Sequence, residues 1–211
     1  MEITLAIIGT AGRKDDKKRL SSESFVSMCN IAKSLVSTLK KNNYPITHLV
    51  SGGSAWADHV AVSLYLKGIV KNLRLYVPCE FINSRFVDDN CGARNFYPPG
   101  KSLNEYHDFF QRKSGINSLS EITSAIARGA EVLVCNGGFH GRNSMVAKSD
   151  VMLAMTFGDK DMVKIGGGTA DTVKKYFARV DSDGSFNKAF HYNLSDGIVY
   201  RLTSIPVSQV Q

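Results

Sequence analysis

Leu5-Ala6-Ile7-Ile8-Gly9-Thr10-Ala11-Gly12-Arg13 decides the fold. Four consecutive apolar residues cannot alternate between a core face and a solvent face, so they read as a strand buried on both sides, as in a parallel sheet covered by helices. The run stops at Gly9, and a glycine in the turn lets the backbone approach a ligand closely. Main-chain N–H groups of Gly9-Thr10-Ala11-Gly12 can cradle an anion, and Arg13 can add a bidentate contact. The alternative is a tight turn that serves only the chain path.

Outward from this turn the same grammar repeats. Phe25, Met28, Ile31, Ala32, Leu35 and Leu39 recur near a 3.6-residue period and predict a helix over 24–41, ended by Asn42, Asn43 and Pro45. A strand is predicted over 46–50, then Ser51-Gly52-Gly53, a helix over 55–66 closed by Gly68, and a strand over 73–77 stopped by Pro78. β-α-β-α-β favours a parallel sheet with crossover helices. The expected fold class is therefore α/β, a Rossmann-like three-layer domain with a mostly parallel sheet. Further on, a helix is predicted over 118–128, a short strand over 132–134, a helical turn or two over 142–148, a strand over 151–156, a helix over 171–177 and a strand over 198–205. The segment at about 80–117, with Pro98-Pro99-Gly100 and several aromatics, breaks this rhythm. It reads as a long insert with a short helix near 103–110, placed to cover a ligand or form a subunit contact.

A chain of 211 residues suits one such domain, 1–211, and 43% apolar against 21% charged residues excludes disorder. The net charge of +7 favours anionic partners without choosing among them. Cys29, Cys79, Cys91 and Cys135 form no C-x-x-C pair and read as reduced thiols. His48, His59, His107, His140 and His191 are scattered, so no metal and no cofactor is expected; His140, beside Arg142, is the one placed for ligand contact. Asp181-Ser182-Asp183-Gly184-Ser185 lacks the later acidic ligand of a calcium loop and reads as a turn. No stretch is long enough to cross a membrane and no signal-like segment begins the chain, which predicts a cytoplasmic location. Neither G-x-x-x-x-G-K-[ST] nor G-x-G-x-x-G is present, which argues against an ATPase of that type and an ordinary NAD dehydrogenase.

Two more turns carry candidate chemistry. Ser51-Gly52-Gly53-Ser54 again joins strand to helix, and Asp58 follows four residues later, placed to orient a sugar hydroxyl, to brace the first loop, or simply to face solvent. Trp56 either stacks on a base or packs in the core. Gly166-Gly167-Gly168-Thr169 opens a helix and combines flexible backbone, free N–H groups and a favourable dipole, the strongest phosphate signal in the chain. Thr169 is placed to cap or to donate to phosphate. Arg142-Asn143 can close over phosphate or ribose, and Arg85 and Arg94 lie in the insert. Lys14, Lys17, Lys18 and Arg19 form a short basic run.

The order of these motifs, with Ser149-Asp150-Val151 between the last two, resembles the SLOG superfamily over about residues 1–178. That group includes DNA-processing proteins of the DprA kind, lysine-decarboxylase-like phosphoribohydrolases and nucleotide-sensing domains. The resemblance implies a nucleotide-derived ligand at the strand ends, its phosphate on the glycine loops, and homo-oligomers. In the hydrolases the last turn reads P-G-G-x-G-T-x-x-E; here Ile165 replaces the proline and Thr172 the glutamate, with Asp171 one position out of register. The carboxylate of an enzyme would then come from Asp58 or from Glu121 on another helix. The leading expectation is a nucleotide-binding protein that hydrolyses the N-glycosidic bond of a nucleoside monophosphate. The alternatives are a non-catalytic nucleotide sensor or sponge and a single-stranded nucleic-acid-binding protein.

Overall fold

The computed structural model describes residues 2–88, 98–159, 166–183 and 188–202. The chain runs β1 (Thr4–Gly9), α1 (Asp16–Arg19), α2 (Ser22–Lys41), β2 (His48–Ser51), α3 (His59–Leu66), β3 (Asn72–Val77), a hairpin of β4 (Glu80–Ile82) and β5 (Arg85–Val87), α4 (Pro99–Ser114), α5 (Ser118–Ala127), β6 (Glu131–Val134), α6 (Gly138–Val146), β7 (Val151–Thr156), α7 (Gly167–Asp183), β8 (Ala189–Asn193) and β9 (Ile198–Arg201). Seven strands form one sheet in the order β6-β3-β2-β1-β7-β8-β9. The first six in that order are parallel, and β9 pairs antiparallel with β8.

Period-two alternation in the central strands builds the layers. Leu5, Ile7, Leu153 and Met155 face a core shared with Phe25 and Met28 of α2, Val60 and Leu64 of α3, Leu103 and Phe110 of α4, and Ile122 of α5. Ala6, Ile8, Met152 and Ala154 face the opposite core, with Val146 of α6 and Val173, Tyr176 and Phe177 of α7. Every residue of β7 is buried, which is why its sequence is apolar from Val151 to Met155. The Rossmann-like three-layer α/β arrangement is thus the one the first apolar run called for. No helix among the described residues is long and apolar enough to cross a membrane.

Capping chemistry sets the ends of α2. The Ser21 hydroxyl accepts from the Ser24 amide at 3.3 Å, Ser24 answers from its own hydroxyl, and Asn43 beyond the last turn takes φ 64°. In α3 every residue but Leu66 is buried, so the helix is packed on nearly all sides.

Several local expectations are corrected. The insert is not a long loop with a short helix: among its described residues it is the β4–β5 hairpin followed by a 16-residue α4. Pro99 starts α4, where a missing N–H costs nothing, and Gly115 stops it at φ 76°. The second crossover helix begins at His59, with residues 55–58 forming the turn before it. α6 starts at Gly138, ahead of the expected 142, and α7 is 17 residues long and runs into the expected Asp/Gly turn. β8 was not anticipated; its Ala-Phe-His-Tyr-Asn has no long apolar run. β9 ends at Arg201, and residues 203–205 of the expected strand lie outside the described residues.

Candidate functional site

The chain leaves β1 towards β2 on one side and returns through β7 on the other, which makes β1 the switch point of the sheet. Ligands of open α/β sheets bind in the crevice at the carboxyl ends of such strands. Here that crevice is a cleft of ≈ 320 Å³. Of the residues expected from sequence, Gly9, Thr10, Arg13, Gly52, Asp58, Arg142, Asn143, Gly166, Gly167, Gly168 and Thr169 line it; Gly12, Ser51, Gly53 and Glu121 do not. Ala11, Lys14, Asp16, Ser54, Thr156 and Thr172 are further lining residues.

The first two turns are held together mostly by their own hydrogen bonds. Thr10 donates its amide to the Met155 carbonyl at 2.9 Å, and the Gly12 amide donates to Thr10 Oγ1 at 3.1 Å. Thr10 Oγ1 donates to Asp16 Oδ2 at 2.6 Å. The Gly53 amide donates to Ser51 Oγ and the Ser54 amide to Asp58 Oδ2. Ser51 Oγ in turn donates to the Asp58 carbonyl at 2.9 Å. Two of the amides expected to cradle an anion, those of Thr10 and Gly12, are therefore occupied, as are the Gly53 and Ser54 amides of the second turn. Ser51, Gly12 and Gly53 are turn-formers rather than ligand contacts.

The remaining donors come from α7 and from cationic side chains. Gly166, Gly167 and Gly168 carry the chain past the cleft into α7, Gly166 and Gly167 with φ of 87° and 82°, and the first-turn amides of a helix have no partner within it. Thr169 Oγ1 donates to the Gly9 carbonyl at 2.9 Å, stapling α7 to the end of β1. Its proton is therefore not directed at a ligand. Arg142 is half-buried. Its Nη1 donates to the Gly52 carbonyl at 3.2 Å, and Nε and Nη2 to Asn143 Oδ1 at 3.2 and 3.0 Å. Asn143 Nδ2 donates to the Gly168 carbonyl and to Asp171 Oδ2, at 3.3 and 2.9 Å. One amide thus ties the arginine to α7.

Asp58 is 6% exposed at the cleft wall, and burial pushes its carboxyl above the ordinary range, against the opposing pull of Arg142, the Ser54 and Gly52 amides and Arg13. Burial lowers Arg142 from its usual value, opposed by Asp58. A buried acid and a desolvated arginine in one cleft are a combination that clusters at functional sites.

Other expectations are not met by this geometry. Glu121 Oε2 accepts from His59 Nε2 at 2.7 Å on the α3–α5 face, and its carboxyl is lowered by that bond; it is a packing partner away from the cleft. Trp56 is fully buried, edge-on to Phe110 at 4.9 Å, so no base stacks on it. Thr172 lines the cleft, but its hydroxyl donates to the Gly168 carbonyl at 2.8 Å, and Asp171 is held by Lys175 at 2.8 Å and by Asn143. Arg85 pairs with Asp108 at 3.0 Å, His140 is exposed outside the cleft, and Arg94 lies outside the described residues.

His107 is the residue the sequence reading overlooked. Its Nε2 donates to the Gly53 carbonyl at 3.1 Å and its Nδ1 accepts from Ser118 Oγ at 2.8 Å, the neutral tautomer those partners require. Leu103, His107 and Phe110 share one buried face of α4, so its place in the apolar period was the available signal. Burial, with His59 nearby, pushes His107 down to about 3. A histidine with a depressed folded pKa adds stability above its unfolded value of about 6.5, and that stability is lost as pH falls towards 3. The expected loss is about 2 kcal/mol by pH 5. Urea melts at pH 7 and pH 5 check this, and His107→Gln should flatten that part of the profile.

These features define a three-layer, Rossmann-like α/β protein with an arginine-bearing polar cleft at the switch point of its sheet. The chain is 39% identical over 177 residues to "Uncharacterized protein R261" of Acanthamoeba polyphaga mimivirus, an alignment that takes in 82% of this chain and 91% of the viral protein. It belongs to the family of that viral protein. No family model matches the chain.

Proposed function

We propose that the cleft binds a nucleoside monophosphate and that Asp58 promotes hydrolysis of its N-glycosidic bond, in line with the resemblance to the SLOG superfamily. One observation carries the reading: Arg13, Arg142 and the first turn of α7 converge on the same cleft whose wall holds the buried Asp58. The arginines and the helix N-terminus suit a phosphate dianion. The Asp58 carboxylate would stabilise positive charge at the anomeric carbon as the C–N bond breaks, would take the proton of the attacking water as the new C–O bond forms, and would pass that proton to the departing base, leaving free base and ribose 5-phosphate.

Thr172, standing where the hydrolases of the superfamily this chain resembles carry glutamate, favours a second reading in which the same cleft holds the nucleotide without turnover. Chromatography of the protein incubated with a panel of nucleoside monophosphates separates the two. Base release that falls roughly 100-fold or more in Asp58→Asn, with nucleotide affinity kept, supports the hydrolase. Tight binding with no base released supports the sensor or sponge. Oligonucleotide binding without mononucleotide binding, steeply weakened by salt, would overturn both.

Asp58→Asn should also be at least as stable as the parent at pH 7. A carboxyl whose folded pKa is raised costs stability once pH climbs from its unfolded range through the folded value, because the native state then holds a charge it disfavours. The amide removes that cost, so its melting temperature at pH 7 should match or exceed the parent's.

A further inference from the structure

Taking the cleft as the anion site just proposed, we infer that Tyr106 on α4 and Phe139 on α6 are positioning residues that hold the Arg13 guanidinium at the cleft. Arg13 Cζ lies 5.0 Å from the Tyr106 ring centroid and 5.9 Å from that of Phe139. Neither ring lines the cleft, whereas Arg13 does. Among the described residues its guanidinium makes no hydrogen bond or ion pair, although the residue is exposed. An exposed arginine ordinarily samples many rotamers. This one is ordered by ring faces alone, which leaves its five N–H donors available to a ligand.

Phe139 serves both cleft arginines, since Arg142 Cζ is 5.1 Å from the same ring. Arg13 and Arg142 repel, and that repulsion is one of the influences lowering Arg142. A shared quadrupole face offsets part of it before a ligand binds, and an anion between the two completes the neutralisation. Ordering Arg13 beforehand spares the bound state that loss of freedom.

The Tyr106 contact also gives the insert a role. α4 presents Tyr106 to Arg13, His107 to the Gly53 carbonyl and Phe109 to the Gly12 turn, where an added Cβ at Gly12 would meet the Phe109 ring at 3.0 Å. Three neighbouring positions of one helix thus back both turns that border the cleft. Anion affinity is therefore coupled to the seating of the insert.

The test is calorimetric titration of the full chain with inorganic phosphate and with adenosine 5′-monophosphate, alongside the NMR shifts of the Arg13 side-chain protons. Tyr106→Ala should weaken both ligands by roughly 5- to 20-fold, and because the half-buried ring also packs against the core each titration is run below the variant's own melting temperature. Tyr106→Phe should restore affinity to within about twofold. Tyr106→Ala added to Arg13→Ala should cost less than about twofold more, since Tyr106 acts on the ligand only through Arg13. Losses that multiply independently, or unchanged affinity in Tyr106→Ala, would overturn the inference. Should the parent protein bind neither probe, the anion reading fails and the NMR shifts decide the slot: ring-shifted Arg13 protons that relax in Tyr106→Ala support it, and unshifted protons overturn it.

Discussion

Gly9→Ala lowers the melting temperature by roughly 6–12 °C, the change expected for a loss of about 3 kcal/mol in a chain of this size. The added methyl would be driven against the Met155 carbonyl oxygen and would lie 2.7 Å from Ala57 Cβ. Neither neighbour is the free end of a flexible side chain. The Met155 carbonyl already accepts the Thr10 amide, and Gly9 pairs with Met155 in the β1–β7 register. Relief of the clash therefore requires the two central strands to part at the end that forms the cleft. Gly68→Ala is the control: it also places a side chain at positive φ, +69° against +157° at Gly9, but nothing lies within 4 Å of the new Cβ. Circular-dichroism melts of the two variants check the expectation, and equal losses would mean that crowding against β7 is not what demands glycine at position 9.

Gly52→Ala should separate the site from the fold. A Cβ there would lie 2.8 Å from Asp58 Oδ2 and 2.9 Å from both Cζ and Nε of Arg142. These are movable side-chain ends, so the sheet survives, with a stability cost of about 1 kcal/mol. The two charged groups cannot both keep their places. Arg142 would be pushed from the Gly52 carbonyl and from Asn143, and the grip it offers a phosphate goes with it. Two charge-assisted hydrogen bonds, at about 1.5–3 kcal/mol each, correspond to roughly a 100-fold or greater loss of affinity. Titration with adenosine 5′-monophosphate beside a thermal melt reads both quantities. Undiminished binding in a folded Gly52→Ala protein would remove Arg142 and Asp58 from the site.

Local pattern carried much of the architecture. The apolar runs of β1 and β7 can only be strands covered on both faces, and glycines at the exits of β1 and β2 mark where the chain must bend closely over something. That reasoning located the cleft, because strand ends and helix starts are properties of a few neighbouring residues. It also put Arg13, Asp58 and Arg142 in the right vicinity. β8 escaped it because its burial comes from being laid beside β7, not from its composition.

Which donors remain for a ligand was not legible in the chain, because hydrogen-bond partners are chosen by approach across long separations. Thr10 meets Met155, Gly53 meets His107, and Thr169 meets Gly9 only once the sheet and helices are assembled. Glu121 was a free carboxylate on paper and became the partner of His59. Sequence specifies where the backbone can turn; packing settles which of its polar groups are already taken when it has turned, and that difference narrowed the proposed phosphate grip from all three glycine turns to α7 and the two arginines.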